Sequence, residues 1–235
     1  MFLIERYFKY LYKVTYKLWM LFSKFSRSYG VALMYHHVTD EDIDTIEACK
    51  CKIALFERTL NTAKAEGYRF VQIDEALQYI RDRMKIKFAI VTFDDVPDDV
   101  YQNAYPILKK LRIPFTLFMT TDYIDKPGYL TKEQLKEMDS DPLCTIGAHT
   151  KSHPMLRKIS NSWEEMSESK KILEKILGHP IEYMAYPYGL QSSVSLKVMR
   201  QAKEIGYKCA FGTIQTPMSD FSKYFRYYLP RIVWN

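Results

Sequence analysis

The stretch Ala89–Asp99, "AIVTFDDVPDD", decides how the rest of the chain is read. Five apolar or β-branched residues in succession have the length and composition of a strand buried on both faces. The run stops at Phe93, and Asp94 and Asp95 stand side by side behind it. Two adjacent carboxylates at the end of a buried strand repel each other, so a turn, a cation or a catalytic task must hold them there. The plainest account is a turn before a helix, with Asp98 and Asp99 starting that helix.

Working outward, the same apolar grammar recurs. Strand-like runs occur at residues 31–37, 69–73, 114–119, 143–149, 181–187, 208–213 and 227–233, besides the one at 87–93. Amphipathic, helix-length stretches lie between them, at 54–66, 74–83, 98–112, 162–177 and 194–205. Asp98 and Ser162 are candidate N-caps, and Gly178 and Gly206 stand where helices should stop. About eight strand–helix alternations imply parallel strands covered by helices, in an α/β chain closed as a barrel or nearly so. In such a fold reactive side chains collect at the C-terminal ends of the strands. The strand ends here hold His36, His37, Asp94, Asp95, His149 and the segment "AYPYG" at 185–189.

The bulk properties bound the function. The chain has 235 residues, 47% hydrophobic, enough for one large domain with a full core. Residues 1–30 carry six Lys or Arg against one Glu and supply five of the six net positive charges. The remainder is nearly neutral, which argues against a nucleic-acid partner. Lys13, Lys17 and Lys24 interrupt every apolar run of that segment, so it reads as a basic, aromatic, amphipathic arm rather than a signal peptide or a spanning helix. Its two uses are peripheral contact with an anionic membrane or packing on its own domain. The domain division is therefore an arm at 1–30 and a barrel at 31–235. Cys49, Cys51, Cys144 and Cys209 include no CxxC pair and read as reduced thiols of a cytoplasmic protein, free or membrane-associated.

His149 and His153, in "GAHTKSHP", are four residues apart, and on a helical turn they would share a face and grip one divalent ion. Two imidazoles and one carboxylate make a three-ligand site with an open position, and Asp95 is the obvious carboxylate. The ion would relieve the repulsion of the acid pair, leaving Asp94 free to accept a proton.

Taken together, "TFDD", "HTKSH" and "YPYG" resemble the polysaccharide deacetylases of the NodB-homology type, over about residues 31–232. The resemblance implies a distorted (β/α) barrel of seven to eight mainly parallel strands. It implies a hydrolase that cleaves acetyl groups, mainly N-acetyl, from a sugar or polysaccharide precursor with a divalent metal, usually zinc. It makes Asp94 the general base, Asp95, His149 and His153 the metal ligands, and the backbone N–H of Tyr188 an oxyanion donor.

Three departures stand out. Val96 occupies the place of the usual Gly after the acids. Ala185 replaces the Arg that orients the base, and Arg231 is the first substitute, Arg226 the second. The late His that protonates the leaving amine is missing, because no His follows His179. Some exopolysaccharide deacetylases resemble a circular permutation with that His at the start of the domain, which selects His36 and, behind it, His37. His179 reads as structural. The competing expectation is a non-catalytic relative that binds sugar or a partner protein, with Ala185 as its support.

Overall fold

A computed structural model describes residues 29–43, 45 and 49–233. The body of the basic arm, residues 1–28, lies outside the described residues.

Seven staves form a curled, mostly parallel sheet. They are β1 (Tyr29–Tyr35), β2 (Lys87–Asp94), β3 (Phe115–Met119), β4 (Cys144–Ala148), β5 (Tyr183–Ala185), β6 (Cys209–Phe211) and β7 (Ile232–Val233). The pairing runs β1–β2–β3–β4–β5–β6, every step parallel. β7 pairs in parallel with β1, and a single bridge from Leu229 to Phe211 joins the last segment to β6. The ring is thus closed, but thinly. Pro230 cannot donate to the ladder, and Arg231 directs its side chain to other partners. The run at 69–73 is not an eighth stave. Only Arg69–Phe70 pair, beside Phe88 and Ala89 at the lower end of β2, where β3 has not yet begun.

Helices cover the outside: α1 (Ile53–Ala65), α2 (Ile73–Arg81), α3 (Tyr105–Leu111), α4 (Lys132–Asp139), α5 (Ser162–Leu177) and α6 (Leu196–Glu204). The stretch at 98–112 is not one α-helix. A wide π-type turn at Val100–Ala104 precedes α3, because Pro106 has no N–H and its ring would meet the carbonyl one turn back. α4, not singled out by periodicity, starts with a reciprocal cap between Thr131 and Gln134. Neither expected cap serves as one: Asp98 accepts from the Gln102 amide, and Ser162, itself the first residue of α5, donates to Gln201. Asp99 binds His37 and the Val38 N–H. Gly178 closes α5 in the left-handed conformation, as a C-terminal glycine does.

Side-chain alternation along β2 sorts the core. Val91 and Phe93 pack outward with Phe56, Leu108 and Phe115 beneath the helices. Phe88 and Ile90 belong to a second cluster with Ala32, Phe118, Phe211 and α2, which plugs the lower end. Asp94 follows the Phe88–Ile90–Thr92 phase and is therefore carried to the upper end of the barrel interior. All four cysteines are free thiols. Among the described residues no helix is long and apolar enough to cross a membrane.

Candidate active site

Asp94 is the last residue of β2 and is 2% exposed. The chain turns immediately: the Val96 N–H donates to the Asp94 carbonyl at 2.6 Å, with Asp95 at φ 59 and Val96 at φ 55. A β-branched residue in the left-handed region is costly, and Val96 persists there because it is wholly buried in the outer core. The tight reversal sends the two carboxylates to different partners. Neither caps a helix.

Arg231 receives Asp94. Nη1 and Nη2 donate to Oδ1 and Oδ2, both at 2.6 Å, in a two-pronged pair. Nε donates to the Gly212 carbonyl at 3.0 Å and Nη1 to Thr92 at 3.3 Å. The guanidinium, fully buried, also lies over the Phe118 ring. Burial alone would raise the Asp94 pKa, but Arg231, His149 and His36 outweigh it and hold the carboxyl well below the usual range. Ala185 contributes only its carbonyl to the site, and Arg226 lies apart, donating to the Lys208 carbonyl.

Asp95 points to the other side. Its Oδ1 accepts from the Thr120 hydroxyl at 2.9 Å and stands 3.6 Å from His153 Nε2. His149 follows β4 directly and continues its ladder through an N–H to Met119. Its Nδ1 lies 2.9 Å from the Ala185 carbonyl, which can only accept, so Nδ1 carries the hydrogen and Nε2 keeps a free lone pair. Burial pushes the imidazole down to about 4 against the pull of Asp94 and Asp95, so the ring is neutral and could serve as a ligand.

His153 does not share a helical face with His149. Thr150 and His153 take φ values of 69 and 61, and Pro154 disfavours the helical region for His153. A loop therefore carries the second imidazole. Glu165, on α5, clamps that loop by accepting from the Lys151 N–H, the Ser152 N–H and the Ser152 hydroxyl. One ligand atom from each of Asp95, His149 and His153 lies within 4.8 Å of the other two. Two imidazole nitrogens and a carboxylate oxygen at that spacing fit a divalent ion of the zinc type.

His36 follows β1, and its Nδ1 is buried without a hydrogen-bond partner among the described residues. Burial lowers its pKa, while Asp94 and Asp95 are near enough to pull it up in part. His37 faces elsewhere, pairing with Asp99 at 2.6 Å. Tyr188, at φ 60, lies in the turn after β5, and its N–H has no partner among the described residues. That turn is fixed through Gly189, where a side chain would lie 2.8 Å from the Thr213 nitrogen. His179 sits outside the site and binds Asp139.

Sequence reasoning passed over Thr120 and Glu165, which act by contacts across the fold. It also passed over an arc of aromatic rings beside the ligand triad. Tyr188 lies 4.8 Å from His153, His153 6.4 Å from Tyr123, and Tyr123 4.6 Å from Tyr129, centroid to centroid. Burial first, then Asp95, pushes the Tyr123 phenol up to about 12.

Comparison with known proteins places this geometry in context. Residues 81–210 match the family model described as polysaccharide deacetylase. The poly-β-1,6-N-acetyl-D-glucosamine N-deacetylase of Staphylococcus aureus is 27% identical over 237 residues, covering 89% of this chain and 80% of that one. The structure of a polysaccharide deacetylase from Bacillus cereus superposes with a TM-score of 0.76 at 29% identity, over 87% of this chain. This chain spans 64% of that protein. IcaB from Ammonifex degensii gives a TM-score of 0.74 at 25% identity, over 88% of this chain and 92% of its own.

Proposed function

The chain belongs to the polysaccharide deacetylase family, and from that premise we propose that it hydrolyses N-acetyl groups of an N-acetylglucosamine-type exopolysaccharide with a divalent metal, zinc fitting best. The observation that carries the reading is the Asp94–Arg231 pair set beside the Asp95, His149 and His153 triad. The Staphylococcus aureus relative supports the choice of an acetylated glucosamine polymer as substrate.

Asp95, His149 and His153 would hold the ion. When bound, it supplies Lewis acidity to the acyl oxygen and to the attacking water. Asp94 then takes the proton from that water. Arg231 keeps Asp94 ionised and fixes the direction of its lone pairs. The free Tyr188 N–H donates to the developing oxyanion, a contact whose loss costs roughly 10²–10³ in turnover. His36, whose Nδ1 has no hydrogen-bond partner among the described residues, would give a proton to the leaving nitrogen, and its burial makes the protonated ring a stronger acid. Acetate and a free amine result.

The test is acetate release from a β-linked N-acetylglucosamine oligomer by zinc-loaded protein. The wild type should turn over, and Asp94→Asn should bind zinc but release almost none. An inactive wild type that still binds the oligomer would instead identify a non-catalytic sugar-binding relative.

A further inference from the structure

We propose that Tyr129 and Tyr123 form a sugar subsite that takes, by stacking, a pyranose ring next to the one presenting its acetamide to the triad. The inference deepens the deacetylase reading and rests on it.

The two rings stand 4.6 Å apart with an interplanar angle of 37°, and the arc reaches His153 through Tyr123. Both are partly exposed, and among the described residues neither hydroxyl has a hydrogen-bond partner. A ring buried only for packing needs no hydroxyl, whereas an aromatic face with a free phenol at its edge matches a sugar, which has an apolar C–H face and a hydroxylated rim. The rings follow His153 at successive centroid spacings of 6.4 and 4.6 Å, which sets them within a neighbouring sugar's reach of the triad.

The support beneath the arc is rigid. Tyr129 forms an antiparallel bridge with Pro97, two residues beyond Asp95. The Asp98 N–H donates to Gly128, Asp125 N–H to Leu130 and Tyr129 N–H to Lys126. Asp125 also accepts from the backbone and the ammonium of Lys132 at the start of α4. The same backbone that turns the acid pair therefore holds the platform, which fixes the distance between the acyl site and the stacking site. Such preorganisation lowers the ordering cost of binding a flexible polymer.

The experiment compares zinc-loaded wild type, Tyr129→Ala, Tyr129→Leu and Tyr129→Phe on a β-linked N-acetylglucosamine pentamer and on a sugar-free acetanilide. Zinc content and melting temperature report on the fold of each. Tyr129→Ala and Tyr129→Leu should lose roughly ten-fold more kcat/KM on the pentamer than on the acetanilide, mostly through KM, as the loss of one stacking contact would give. Tyr129→Phe should keep most of the pentamer activity. Equal losses on both substrates, or a loss in Tyr129→Phe matching that in Tyr129→Ala, would overturn the stacking subsite while leaving the deacetylase reading intact. A wild type that releases acetate from neither substrate overturns both.

Discussion

Replacing Arg231 by Met isolates the device that holds the acid. The side chains are similar in length, and Arg231 is fully buried, so the main change is loss of the charge and its four hydrogen bonds. Asp94 remains buried, with the neutral imidazole of His149 3.8 Å away. Breaking a buried pair from one side costs about 3–5 kcal/mol, because the remaining charge is left unpaired. For a chain of this size that corresponds to a fall of about 6–20 °C in melting temperature. The pH dependence follows in sign. A carboxyl whose folded pKa lies below its unfolded value of about 3.9 stabilises the fold above that value and loses the contribution as pH falls through the folded pKa. Without Arg231 burial dominates and the Asp94 pKa rises, so the acid limb of turnover should move to higher pH, while the stability that wild-type Asp94 loses on acidification should vanish or reverse, the variant's deficit shrinking as pH falls. Scanning calorimetry and acetate release across pH measure the two effects. A variant melting within about 2–4 °C of wild type, a shift worth only about 1 kcal/mol, with an unmoved acid limb, would refute the assignment of Arg231 as the partner that orients and ionises the base.

Four further outcomes are expected. Val96→Gly should change stability by less than about 1.5 kcal/mol, since relief of left-handed strain (about 1–3 kcal/mol) offsets the lost packing, whereas Val91→Gly on β2 should be fully destabilising; equal losses in chemical denaturation would contradict the strain argument. Gly147→Ala places a methyl group 2.6 Å from the Phe118 ring and 3.0 Å from the Tyr183 carbonyl, so it should cost about 1–3 kcal/mol and weaken zinc binding through the nearby His149, read by denaturation and by a chelator competition. Zinc at about 100 times its dissociation constant should stabilise the wild type by about 2.7 kcal/mol and Asp95→Ala far less, as seen in melting with and without EDTA. Glu165→Gln should lower zinc affinity by about 10–100-fold by loosening the loop that carries His153, and an unaltered affinity would show that the clamp is dispensable.

Much of this was legible in the chain because it depends on local pattern. The buried run before Asp94 is β2, the stretch at 162–177 is α5 to the residue, and Gly178 ends it where a left-handed residue is needed. What escaped depends on distance in space rather than in sequence. Arg231 could be chosen only as a substitute for Ala185, because nothing local to "YLPRI" announces a partner at Asp94, reached across β1. Glu165 and Thr120 carry no signal at all, since each works through a contact with a loop or strand end far along the chain. Of the run at 69–73 only two residues pair as a strand, because a short apolar run is satisfied by two paired residues as well as by a full strand. The helical reading of His149 and His153 failed because spacing counts residues, while Pro154 and two left-handed residues determine where the imidazoles point.

Anomalous diffraction at the zinc edge, from crystals of zinc-loaded protein, bears most directly on the site. One peak should lie about 2.0–2.2 Å from the Asp95 carboxylate, His149 Nε2 and His153 Nε2 together, with Asp94 turned to Arg231. A loaded crystal with no peak among those three side chains, or with zinc bound elsewhere, would contradict the account.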